Sequence, residues 1–135
     1  MTGRTMLFAL PALFMASPVL AGAPGLTIRT GETWIFAVSG GQPNQARKVA
    51  ADTAPRKGEI RISVRSLIGT SMSVSGNLPV SYTYRTELIR GSALVAKRSC
   101  TLPPNGRPAF EHWPETADAV RVSDFKPAYA NGSCP

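Results

Sequence analysis

The sequence predicts an all-β domain, a single antiparallel β-sandwich of immunoglobulin-like type with seven to nine strands, and a Greek-key β-barrel as the alternative. Three observations carry that expectation. Over Glu59–Ile89 the apolar and polar residues alternate with a period of two, the pattern of strands buried on one face. Short runs of this kind recur along the chain with glycine and proline clusters between them. No stretch of useful length repeats its apolar residues at the 3.6-residue period of an amphipathic helix.

The first residues read as an export signal rather than as part of the fold. Arg4 provides a positive start, and Met6–Leu20 is a run of 15 residues without a charge. It is shorter than the ~20 residues a membrane-crossing helix needs, and Pro11 and Pro18 interrupt it. Val19-Leu20-Ala21 places small residues where a signal peptidase reads them, so cleavage is expected after Ala21, with Ala23 as the alternative. Leu20-Ala21-Gly22 resembles the start of a lipoprotein box, but Ala23 stands where the lipid-bearing cysteine belongs. The expected organisation is therefore a signal peptide over residues 1–21 and one sandwich domain over 22–135. No later segment is apolar enough to span a membrane, and a periplasmic or secreted location follows.

The elements follow in order. Leu26–Arg29 is a short edge strand. In Glu32–Ser39 the side bearing Trp34, Phe36 and Val38 faces the core, against Ile35 and Ala37. Gly40–Asn44 is a turn, Gln45–Ala50 the returning arm of a hairpin, and Asp52–Gly58 an irregular loop. A central meander comes next: Glu59–Leu67, Thr70–Ser75 and Val80–Ile89. Ile60, Ile62, Val64, Met72 and Val74 point inward, as do Val80, Tyr82 and Tyr84. Ala93–Leu102 continues as a strand that Lys97 and Arg98 blunt against edge pairing. Pro103–Pro108 is a loop, Ala109–Trp113 a short strand, and Ala119–Phe125 the last strand before a coil-like tail.

Two cysteines, Cys100 and Cys134, in an exported chain are expected to form one disulfide that ties the tail to the domain. Two cysteines and a single histidine fall short of a four-ligand metal site. No cofactor motif occurs either, since Gly40-Gly41 lacks the strand-to-helix setting of a phosphate loop. The formal net charge is +7, and Gln45–Arg107 holds eleven basic residues against Asp52, Glu59 and Glu87. Acidic residues gather instead at Glu111, Glu115, Asp118 and Asp124. Arg61 and Arg65 share a strand face, and together with Arg85 and Arg98 they are the candidate anion-binding residues. An exported protein rarely meets nucleic acid, so the matching partners are an acidic polysaccharide, a lipid headgroup or a protein. Asn131-Gly132-Ser133 fits a glycosylation sequon that only a eukaryotic secretory pathway uses.

Gly31–Phe36, Met72–Asn77, Cys100–Leu102 and Phe110–Pro114 resemble segments of small exported bacterial proteins of unknown function. That resemblance implies a periplasmic β-domain and brings no catalytic or binding residue with it. His112 is the only histidine, and there is no G-x-S-x-G elbow. The leading expectation is a non-enzymatic binding or assembly module. A small hydrolase using His112, or an inhibitor presenting the Pro103–Pro108 loop to a secreted enzyme, are the alternatives.

Overall fold

The computed structural model describes residues 24–128. The expected signal peptide, the sequon at Asn131, and Cys134 with its pairing to Cys100 lie outside them. The described residues form nine strands and no helix: β1 (Leu26–Arg29), β2 (Thr33–Ser39), β3 (Gln42–Val49), β4 (Glu59–Ser66), β5 (Thr70–Gly76), β6 (Ser81–Arg90), β7 (Ala93–Lys97), β8 (Ala109–Trp113) and β9 (Ala119–Ala128). They make two antiparallel sheets, ordered β1-β9-β6-β7 and β3-β2-β4-β5-β8. The two sheets do not close into a barrel. The architecture is the expected sandwich. Its strand order is its own, because β2 to β5 share one sheet, whereas the second and third strands of an immunoglobulin domain lie in opposite sheets.

Alternation does most of the work of building the core. Ile60, Ile62 and Val64 of β4 and Met72 and Val74 of β5 are buried as expected. They meet Ile28, Leu88, Val120, Val122 and Phe125 from the four-stranded sheet. The Phe125 ring stacks on Tyr84 at 5.3 Å and tilts against Phe36 at 5.4 Å, so three strands from both sheets meet in one aromatic cluster.

Several expectations are corrected. The meander is split between the sheets: β4 and β5 pair, but β6 crosses to the other sheet and β8 takes the place beside β5. Val80 is exposed ahead of β6, and Tyr82 is only partly buried. The turn after β2 is only Gly40-Gly41, both at positive φ, as a two-residue hairpin of the I′ kind requires. Pro43 thus sits inside β3, which tolerates it because β3 is an edge strand. β7 stops at Lys97, and Leu102 makes an isolated bridge to Tyr82. β9 runs on to Ala128, past a bulge where Asp124 has a φ of 54°. The bulge spends one residue outward and turns Phe125 into the core. Ile35, expected on the solvent side, is fully buried although it faces away from Phe36. It lies between its cross-strand partners Arg47 and Arg61 on the outer face of the sheet. Arg61 is held there by donating to the Thr53 carbonyl at 2.9 Å, which pins the β3–β4 loop nearby.

Candidate functional site

The outer face of the five-stranded sheet carries what the core does not use. Since Ile62, Val64, Met72 and Val74 point inward, Ser63 and Arg65 of β4 and Ser71 and Ser73 of β5 point outward. On β8, Ala109 and Trp113 are buried, which turns Phe110 and His112 to the same outer face. Register aligns these residues in rows across the strands. Arg65 is paired with Ser71 and Ser71 with His112; Ser63 is paired with Ser73 and Ser73 with Phe110. Small serines in the middle, between long side chains on either side, leave a groove of about 400 Å³ whose walls include Leu67 and Phe110.

The serine hydroxyl of Ser71 lies 2.9 Å from Nδ1 of His112. Nε2 is thereby left to face the groove or solvent, with no bonded partner among the described residues. Glu111, the neighbour in sequence, belongs to the opposite face and accepts the Cys100 backbone N–H at 2.6 Å. Among the described residues no carboxylate orients His112, so there the pair lacks the third member of a catalytic triad. Arg65 has no ion-pair partner among the described residues and is exposed. The groove thus combines an unneutralised guanidinium, an imidazole, the hydroxyls of Ser71 and Ser73 and two apolar walls, while the Ser63 hydroxyl is bonded to that of Thr33 at 2.7 Å.

The four candidate arginines are not brought together. Arg61 and Arg65 share the outer face of β4, but Arg61 is engaged with Thr53. Arg85 is on β6, in the other sheet, 3.7 Å from Glu87. Arg98 follows β7 in the connection toward Cys100. Next to Arg61, Arg47 grips Glu59 through both guanidinium nitrogens, at 2.5 and 3.1 Å. Those two bonds, with a further one from the Arg56 N–H, hold the Glu59 carboxyl down at about 2. Glu59 therefore offsets Arg47, while Arg61 is committed to a backbone carbonyl.

The acidic residues separate in the same way. Glu115 pairs with Lys97, whose ammonium keeps its carboxyl below the usual range. Asp118 accepts the Gly91 N–H at 2.7 Å, and Asp124 accepts from Gln42 Nε2 at 2.7 Å. Among the described residues, no two carboxylates face each other across a site of the kind glycoside hydrolysis needs. Among the described residues, no group of three or more His, Cys, Asp or Glu is placed to hold a metal. The Pro103–Pro108 loop is fastened to the β5–β6 connection, with Asn105 N donating to the Leu78 carbonyl and Gly106 N to the Gly76 carbonyl. Its tip, Asn105–Pro108, is exposed.

Sequence reasoning missed Ser63, Ser71, Ser73 and Phe110. A signal for the first three was present, for Ser71, Ser73 and Ser75 recur at period two beside Ser63 in the preceding strand. No family model, curated protein or solved structure matches the chain.

Proposed function

We propose that the chain is an exported, non-enzymatic binding module of the bacterial periplasm or envelope, and that its ligand face is the groove over β4, β5 and β8. The ligand class is an anionic group joined to an apolar one. One observation carries this: Arg65, Ser71 and His112 stand in a single row across three strands, beside the exposed wall of Phe110 and Leu67. Arg65 can meet an anion with two parallel N–H groups. His112 adds a ring nitrogen, and Ser71 and Ser73 add hydroxyls that accept or donate as required. Export is supported by Arg4, the uncharged Met6–Leu20 run and the small residues up to Ala21.

Phenyl phosphate tests the groove, because it unites the two ligand features. Amide signals of Ser71, Phe110 and His112 are expected to shift on titration, and Arg65→Glu to abolish the shifts while Arg85→Glu leaves them. Equal response of the two variants would refute the site.

A second reading, a small hydrolase, draws on the Ser71–His112 hydrogen bond. A fluorophosphonate probe decides between them. Labelling of Ser71 that disappears in His112→Ala establishes an activated serine, and an unlabelled protein leaves the binding module.

The proposed Cys100–Cys134 disulfide would anchor the chain's last residues to the β7–β8 connection, stabilising the fold by roughly 3–4 kcal/mol on a loop-entropy estimate. Mass spectrometry of the exported protein should find two hydrogens fewer than in the reduced chain. Two thiols open to alkylation without reductant would exclude the bridge.

A further inference from the structure

The hairpin joining β4 to β5 bears two penalties at one residue. Ile68 has a φ of 46°, in the left-handed region that β-branched side chains adopt least readily, and it is 98% exposed. Leu67 beside it is 60% exposed. This tip is not a slack loop. Ser66 and Thr70 pair directly beneath it, and Gly69 sits so close to the end of β8 that a Cβ there would fall 2.3 Å from the Trp113 carbonyl oxygen. Two aliphatic side chains are therefore held out in water on a fixed support.

Their surroundings indicate what covers them. Leu67 and the 73% exposed Phe110 both line the groove, on either side of the Arg65–Ser71–His112 row, so two apolar flanks frame a polar centre. Arg65, three residues from Ile68, is exposed without an ion-pair partner among the described residues. Of the acids at this end of the sandwich, Glu115 is paired with Lys97, and Asp118 accepts the Gly91 N–H. An apolar projection beside the unneutralised Arg65, in a chain of net charge +7, complements the anionic headgroups and acyl boundary of a lipid bilayer.

We infer that this corner docks on an anionic membrane surface, with Leu67 and Ile68 entering the acyl boundary, Phe110 at the interface, and Arg65 and His112 meeting headgroup phosphates. The inference deepens the groove reading and rests on it for the anion. Ile68 explains the arrangement: a side chain that costs the free protein both strain and exposure regains the exposure term on insertion.

Co-sedimentation of the mature full-length chain with vesicles tests it, using phosphatidylcholine alone and phosphatidylcholine mixed with phosphatidylglycerol. Binding is expected only to the mixed vesicles, and it should fall steeply with salt. Ile68→Gly is expected to weaken partitioning about tenfold or more. Glycine suits the positive φ, so that loss cannot come from unfolding. Leu67→Ser serves as a second variant. Failure to sediment with the mixed vesicles, or equal partitioning of Ile68→Gly and the parent, overturns the membrane surface and leaves an apolar pocket on another protein as the occupant. Phenyl phosphate separates the two readings. If it binds while vesicles do not, the membrane inference fails and the groove stands. If vesicles bind through Ile68 while phenyl phosphate does not, the groove fails as the anion site. If neither binds, both are wrong.

Discussion

Gly69 and the Trp113 carbonyl are in such close contact that a methyl group on Gly69 would lie 2.3 Å from that oxygen. The same position has a φ of 110°, open only to glycine. Gly69 thus fastens the β4–β5 hairpin to the end of the edge strand β8. Gly69→Ala meets both obstacles, and an expected loss of about 2–4 kcal/mol in urea unfolding follows from backbone displacement plus strain. A loss under 1 kcal/mol would mean that the hairpin moves away from β8 easily.

The neighbouring residue should respond in the opposite direction. Ile68→Gly removes a β-branched side chain from a φ of 46° while burying nothing less, because Ile68 is exposed. Relief of left-handed strain, about 1–2 kcal/mol for an L residue, outweighs the ~0.5–1 kcal/mol entropic cost of glycine. The variant is expected to unfold at a slightly higher urea concentration than the parent. A lower midpoint would show that Ile68 makes a contact the fold depends on.

Glu59 makes stability depend on acid. Its folded-state pKa of about 2 lies below the ordinary value of 4.5, chiefly because Arg47 bonds to the ionised form. A depressed carboxyl contributes its full stabilisation above the unfolded value, and loses it as pH falls through the folded one. Unfolding free energy is therefore expected to decline between pH 4.5 and about 2. Glu32 and Glu115, also lowered, act in the same sense. Arg47→Met should flatten the part of the slope that belongs to Glu59. An unchanged slope in urea titrations of that variant would assign the acid sensitivity elsewhere.

On the opposite side of the sandwich, Glu87 is buried on the outer face of β6 and accepts two bonds from its cross-strand partner Arg121, at 3.2 and 2.8 Å. Arg85 stands farther off, at 3.7 Å. Arg121→Ala leaves a poorly solvated carboxylate with only that distant partner, and a cost of about 2–3 kcal/mol is expected. Combining it with Glu87→Gln should recover part of the loss, since the stranded charge is then gone. Strict additivity in the double-mutant cycle would show that the two side chains are not coupled.

The face each strand presents was legible wherever alternation ran unbroken. Ile60, Ile62, Val64, Met72 and Val74 are buried as their spacing requires, and Val120 and Val122 follow suit. Alternation fixes a face, however, and says nothing about which strand lies alongside. That is why β6 went unrecognised as a member of the other sheet, and why the Arg65–Ser71–His112 row was invisible: it exists only because β8 pairs with β5 across a long intervening stretch of chain. A one-residue bulge also defeats a period-two reading, and Phe125 is inside for that reason. Ile35 shows the remaining gap, because burial on an outer face depends on a loop and two arginine stems folding over it. The candidate site was half visible. Arg65 and His112 stood out by residue type, whereas their meeting is a property of the fold.

β9 lies between β1 and β6, so the last strand of the sandwich in chain order is an interior strand of its sheet. A chain emerging from a ribosome or a translocation channel can assemble β2 to β5 from sequential neighbours. β1 has nothing to pair with until Ala119–Val122 arrive. Completion of this sandwich consequently waits for its last strand in chain order, with slow, contact-order-limited kinetics. A chain stopped short of β9 would leave β1 and β6 without their shared partner and expose the apolar face that Val120, Val122 and Phe125 otherwise close.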